Sequence, residues 1–186
     1  MPHKTITAVT AEPVSLQEAR LQCKVDSDDT THDAVLLSLI TAAREFAEHY
    51  TGRALAPQTL ELALDEFPDV ITLPMPPVAS ITSINYTDTA GDEQTLAADQ
   101  YSLSLYGDSR LVTPAYGVTW PSTQAIPDAV RVKYVTGYTN CPRAVKAALL
   151  LHIELESPIN PNTPDERRMK EKARDSLLDT VRLYGF

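Results

Sequence analysis

The chain has 186 residues, with 25 acidic and 16 basic side chains, 43% apolar residues, 2 Cys, 14 Pro and 6 Gly. This balance is that of a folded globular protein and excludes wholesale disorder. No run approaches the ~18 consecutive apolar residues of a membrane-spanning helix, and Met1-Pro2-His3-Lys4 opens no secretory signal.

Residues 1–100 carry 16 acidic and 5 basic side chains, and residues 101–186 carry 9 and 11. A chain this acidic is poorly suited to gripping DNA through its phosphates, since that affinity comes from Lys and Arg. Cys23 and Cys141 stand far apart without a CxxC context. They read as buried or half-buried thiols of a reducing compartment, not as a disulfide framework.

The first ten residues are expected to be loose or to form one edge strand. Ser15-Leu16-Gln17-Glu18 is a capping box, and Leu16, Ala19 and Cys23 follow at helical spacing in a short helix ending near Val25. Leu36, Leu39, Ala43, Phe46 and Tyr50 recur at spacings of three and four, with Val35, Ile40 and Ala47 widening the stripe. Gly52 suits the left-handed position that closes this long second helix.

From Pro57 the period becomes two. Leu60, Leu62 and Leu64 alternate with polar or small residues, which predicts a half-buried strand. A very short strand fits at 70–73, and further strands at 80–87, 94–96, 101–105 and 111–112. A long irregular loop containing Trp120 fills 113–127, and the last strand holds Val130, Val132 and Tyr134. Eight prolines fall within 57–127, suiting a small antiparallel sheet with blunted edges. Pro142 is placed at the first position of a third helix, whose Ala147–Ile153 run is apolar nearly all round. Pro158, Pro161 and Pro164 read as a stiff linker. A last helix from about Asp165 to Leu183 is expected to pack Met169, Ala173, Leu177, Val181 and Tyr184 on one side.

The fold class is therefore α+β, a helical framework of four main helices with an inserted small antiparallel β module. The organisation expected is a single domain over 1–186. Within it lie N-terminal helices at 14–56, the β module at 57–138, a buried helix at 140–157 and a C-terminal helix or arm at 165–186.

Sites of chemistry are sparse. Asp26-Ser27-Asp28-Asp29 starts like a calcium loop, but Leu37 stands where the closing Glu belongs. His3, His32, His49 and His152 show no zinc spacing, and phosphate-cradling or nucleophile-elbow motifs are absent. Glu154 and Glu156, two apart on a helix, do not face each other. No catalytic residue, cofactor or metal is assigned.

Several segments, in order, carry a family resemblance. They are Val14-Ser15-Leu16-Gln17-Glu18-Ala19-Arg20, the Asp28-Asp29 pair, and Glu48-His49-Tyr50-Thr51-Gly52-Arg53-Ala54-Leu55. Next come the strand from Leu60 to Phe67-Pro68, then Leu73-Pro74-Met75-Pro76-Pro77-Val78-Ala79-Ser80-Ile81, and finally Gly137-Tyr138 and Pro142. Their succession resembles the head–tail connector (adaptor, or head-completion) proteins of tailed phages and prophages.

That resemblance implies a non-enzymatic virion component at the head–tail joint, assembled in the host cytoplasm. It implies a ring of about twelve subunits that binds beneath the portal, extends the DNA channel and offers a platform for a stopper or tail-joining protein. DNA would pass through without specific binding, and no membrane is involved. By the same resemblance the C-terminal segment engages the portal, through Arg167, Arg168, Lys170, Arg174, Arg182, Tyr184 and Phe186, although the two aromatics could equally cap the core. Leu150, Leu151 and Trp120 are candidates for contact between subunits, the loop around Trp120 being otherwise a covered loop. Asp26, Asp28 and Asp29 are candidates to face the channel, where like charge keeps a duplex from adhering. The alternatives are another ring protein of the joint or tail, a soluble enzyme whose groups converge only in three dimensions, and a module that binds partners along a sheet edge.

Overall fold

The computed structural model describes residues 3–104, 110–159 and 161–183. The fold is α+β, with the elements β1 (His3–Thr7), α1 (Leu16–Gln22), α2 (Asp33–Thr51), β2 (Gln58–Leu64), β3 (Ile71–Thr72), β4 (Val78–Thr87), β5 (Glu93–Thr95), β6 (Tyr101–Ser104), β7 (Leu111–Pro114), β8 (Val130–Thr136), α3 (Arg143–Glu156) and α4 (Pro164–Asp179). The chain divides into two compact units. One comprises residues 1–10 and 57–137, the other residues 11–56 and 138–186.

The β unit holds two antiparallel sheets, ordered β1-β2-β8-β4-β5 and β3-β7-β6. Strand β8 is the centre of the larger one, with Leu60↔Tyr134 and Leu62↔Val132 on one side and Ile84↔Val132 on the other. Its side chains alternate strictly: Val130, Val132, Tyr134 and Thr136 are buried, and those between are half-buried. A shift by one residue would turn this set toward solvent, so the alternation itself locks the register. Ile71 of β3 and Val112 of β7 join Leu60, Leu62, Ile84 and Tyr134 in one core, which the two sheets share.

The Leu73–Pro77 segment is stapled to β8. Tyr134 Oη donates to Pro74 O at 2.9 Å, the single Thr136 hydroxyl hydrogen is shared between Pro77 O at 2.9 Å and Met75 O, and Gly137 N donates to Pro77 O at 2.9 Å. A buried Tyr hydroxyl with a carbonyl partner avoids the cost of an unsatisfied donor. At the sheet's ends, no side chain of β1 or β5 is buried. Leu105, the expected end of the 101–105 strand, lies outside the described residues.

The helical unit packs α1, α2, α3 and α4 around Leu36, Ile40, Ala43, Ala47, Leu55, Val145, Leu149, Ile153 and Leu178. Ser15 caps α1 through the complete capping box: Glu18 N donates to Ser15 Oγ at 3.3 Å, and Ser15 N donates to Glu18 Oε2 at 2.9 Å. Gly52, at φ +71°, closes α2 in the left-handed conformation.

Four expectations need correction. Helix α1 ends at Gln22 rather than near Val25, because Lys24 turns to φ +55°. Pro142 stands just before α3, with ψ 141° excluding it from the helix. Helix α3 is buried on one side only, with Ala147 exposed and Leu150 and Leu151 half-buried. Helix α4 stops at Asp179 and starts at Pro164, where Thr163 and Glu166 form a second capping box.

Candidate functional site

The expected docking cations of α4 are mostly spent within the helical unit. Arg167 donates to Glu156 Oε1 at 2.7 Å, to Glu171 Oε1 at 3.0 Å and to Leu155 O at 3.0 Å. Lys170 Nζ reaches Glu154 Oε1 at 2.8 Å and Asn162 Oδ1 at 2.5 Å, while Gln22 Nε2 of α1 holds the other Glu154 oxygen at 2.7 Å. Burial pushes the Glu154 carboxyl up, but the Lys170 and Gln22 hydrogen bonds outweigh it and leave it below its usual range.

Arg174 lies over the Phe46 ring at 4.5 Å and meets His152 Nδ1 at 3.0 Å, and His152 itself stacks on Phe46 with centroids 4.4 Å apart. Burial, with the Arg174 charge second, lowers the His152 pKa. With the guanidinium as donor, His152 Nδ1 accepts from Arg174, which ties α3 to α4.

These ties turn α4 about its axis relative to the expected face. Met169 is 69% exposed and Ala173 is exposed, while Leu178 is buried and Leu177 and Val181 pack on the core. The long stems of Lys170 and Arg174 lie against α3 to reach their partners, and Leu177 and Leu178 follow in the same register. The outer ridge is left with Arg168, Met169, Lys172 and Ala173, all exposed.

Beyond α4 the chain folds back onto the end of α2. Tyr50 Oη donates to Asp179 Oδ1 at 2.9 Å, the Arg182 guanidinium lies 4.6 Å from the Tyr50 ring centroid, and Leu183 N donates to Thr51 O at 2.9 Å. Arg53 Nε donates to Val181 O. Tyr184 and Phe186 lie outside the described residues.

Asp26 and Asp28 are exposed and Asp29 is half-buried, on the loop between α1 and α2. Arg20 holds this loop from below. Its Nε and Nη2 grip both oxygens of Asp33 at 2.8 and 2.5 Å, and its Nη1 donates to Ser27 O at 2.7 Å. Asp29 Oδ1 accepts from Thr31 N at 2.8 Å, and the Thr31 hydrogen bonds keep its pKa below the usual value. The three carboxylates thus sit on a loop of fixed shape.

Of the candidate contact residues, Leu150 packs against the helical core, and Leu151 is half-buried. Trp120, in the β unit, stacks on Phe67 with centroids 4.8 Å apart and planes 11° from parallel, and Phe67 meets Tyr86 edge-on at 5.7 Å.

Sequence reasoning missed the deepest polar cluster. Arg44 and Glu48 are buried on α2, 2.7 Å apart, with Glu12 Oε2 accepting from Arg44 Nε at 2.9 Å and Glu48 Oε1 accepting from Leu55 N at 2.8 Å. Burial raises the Glu48 carboxyl against the pull of the Leu55 amide and Arg44. The i,i+4 spacing of Arg44 and Glu48 was the available signal, but an exposed pair has the same spacing. The Thr163-Pro164-Asp165-Glu166 cap was fully legible and was likewise missed.

Burial raises both thiols, Cys141 to about 11, which leaves them protonated and poorly nucleophilic at neutral pH. Among the described residues no group of three or more His, Cys, Asp or Glu could hold a metal ion, and no helix is long and apolar enough to cross a membrane. An open recess in the β unit is lined by Asp65, Glu66, Thr123, Ala125, Ile126 and Pro127.

Residues 13–100 match the family model described as phage gp6-like head-tail connector protein. Over 100% of its length the chain superposes on 97% of a chain from the virion of a native gene transfer agent (GTA) particle, with TM-score 0.76 and 25% identity. Chains from the neck of an empty GTA particle computed with C6 symmetry and from the neck of a native GTA particle computed with C12 symmetry give TM-scores of 0.75 and 0.70, at 23% and 24% identity and the same coverage. At those identities they speak for the fold alone. No curated protein sequence matches.

Proposed function

We propose that this chain, whose residues 13–100 match the phage gp6-like head-tail connector model, has a structural connecting role and acts as the adaptor ring of a virion's head–tail joint. About twelve copies close head to tail beneath the portal, extend the DNA channel and present a platform to a stopper or tail-joining protein. The ring is added in the host cytoplasm during assembly, and no catalysis is involved. The observation that carries this reading is the match over the full length of the chain to a chain of the GTA virion.

The acidic loop suits a conduit wall. Asp26, Asp28 and Asp29, set in place by Arg20, would repel a duplex and let it slide. Leu150, Leu151 and Trp120 remain the proposed contacts between neighbouring subunits. For the portal, Arg168, Tyr184 and Phe186 are proposed as the groups that reach the partner. Arg167, Lys170, Arg174 and Arg182 would take part by holding the C-terminal segment in place, since each is already engaged within the unit. Ring symmetry multiplies such small contacts into firm attachment.

Mass photometry or analytical ultracentrifugation, on the protein alone and mixed with portal rings from the same genome, tests the reading. The expected result is co-assembly near one subunit per portal subunit. Absence of binding at micromolar concentration, with the portal intact, overturns it. A monomer in the absence of portal is compatible with it, because ordering an arm costs entropy that docking offsets.

A further inference from the structure

The segment Tyr50-Thr51-Gly52-Arg53 does more than end a helix. Four separate contacts tie the chain beyond α4 to it: the Tyr50 hydroxyl on Asp179, the Tyr50 ring under Arg182, the Thr51 carbonyl on the Leu183 amide, and the Arg53 guanidinium on the Val181 carbonyl. Gly52 completes the surface. Leu183 packs over it, and the position a Cβ would take at Gly52 lies 3.7 Å from the Leu183 side chain. Arg53 is buried at 6% exposure, so its role is played inside the protein.

We propose that Tyr50–Arg53 form a seat that fixes where the C-terminal segment leaves the helical unit, with Arg53 and Thr51 acting as positioning residues for the docking of residues 184–186. The inference rests on the portal-docking reading of that segment, and it names the groups that aim it. The chemistry favours a seat over incidental packing. Thr51 is the last residue of α2 and Val181 follows α4, at helix ends whose carbonyls lack intrahelical partners, and the Leu183 amide and the Arg53 guanidinium satisfy them. A tail held by its backbone is directed independently of its own side chains, so docking residues can vary while the exit point stays put.

Two variants separate the seat from folding. Arg53→Ala removes the donor to Val181, and Leu183→Pro removes the Leu183 amide hydrogen without touching a buried residue. Amide exchange is read on the fragment 180–186, with fragments of α2 and α3 as internal controls, and affinity for isolated portal rings is read in parallel. Both variants are expected to speed exchange of the 180–186 fragment by about tenfold while α2 and α3 hold, and to weaken portal binding by about tenfold. Deleting 184–186 should abolish docking and leave exchange of 180–183 unchanged.

Unchanged exchange in both variants overturns the seat. So does unchanged portal affinity in variants whose tail has loosened, when the deletion loses binding. If the intact protein does not bind portal rings, the docking reading falls, and the seat stands or falls on exchange alone.

Discussion

The two units are stabilised differently. In the β unit the buried set is almost wholly apolar, and an ion pair between Arg131 and Glu93 lies on the surface, both side chains about half exposed. In the helical unit, charged side chains enter the core itself: Arg44, Glu48 and Arg53 are all buried, at 8%, 7% and 6% exposure. Arg20, Lys170 and Arg174 tie helices together from positions only slightly exposed. Sheets bring their backbone partners with them, whereas packed helices are joined only by side chains. A helical unit with short elements such as the seven-residue α1 uses directional polar ties to set its geometry.

The largest test of this difference is Arg44→Ala. Removing the Arg44 guanidinium takes its hydrogen bonds from the buried Glu48 and from Glu12, at an expected cost of about 3–5 kcal/mol, measured by urea denaturation with amide exchange reporting each unit. Replacing both partners, Arg44→Met with Glu48→Leu, should recover most of that loss. If the double variant is as unstable as the single, the pair is needed for more than charge balance.

In the β unit the matching change is Leu62→Ala, expected to cost about 2–5 kcal/mol by transfer and cavity terms together. Next comes Thr163→Ala, which removes the α4 cap at about 1 kcal/mol and should speed exchange in the first turn of α4. The smallest effect is expected for Arg131→Ala, below about 1 kcal/mol, as for surface pairs generally. A loss there as large as at Arg44 would erase the contrast between the units.

Acid should also act on the helical unit first. His152 has a folded pKa lowered chiefly by burial, so its contribution is complete above the unfolded value near 6.5 and is lost as pH falls from there toward the lower folded value. Glu18 and Glu154, both lowered in the folded state, the first chiefly by Lys146, lose theirs only at more acidic pH, below the unfolded carboxylate range. His152→Gln should flatten the stability curve just below pH 6.5 and leave the more acidic part in place. An unchanged curve would show that His152 is free to take a proton where it sits.

The same contrast decides what could be read from sequence. A strand offers two faces, and Leu60, Leu62, Val130, Val132 and Tyr134 choose between them without ambiguity. A helix offers a continuous range of orientations. The α2 stripe predicted through Leu36, Leu39, Ala43, Phe46 and Tyr50 is centred in the structure on Leu36, Ile40, Ala43, Ala47 and Thr51, and Val35 is exposed. The shift follows from Arg44 and Glu48, which hydropathy places outside and pairing brings inside. In α4, Lys170 and Arg174 rotate the helix for the same reason. Partners such as Arg20 with Asp33, thirteen residues apart, or Arg53 with Val181, leave no local pattern at all.

The path of the chain between the units has a consequence for synthesis. The chain passes from one unit to the other at Thr10–Ala11, Ala56–Pro57 and Gly137–Tyr138. A nascent chain ending at residue 129 has made β1, β2 and β4 but lacks β8, the strand that joins them, and it has α1 and α2 without the helices that cover them. The β unit cannot close until β8 has left the ribosome, and the helical unit not until α3 and α4 have followed. No single cut can later separate them, so isolating either unit requires joining its two segments directly.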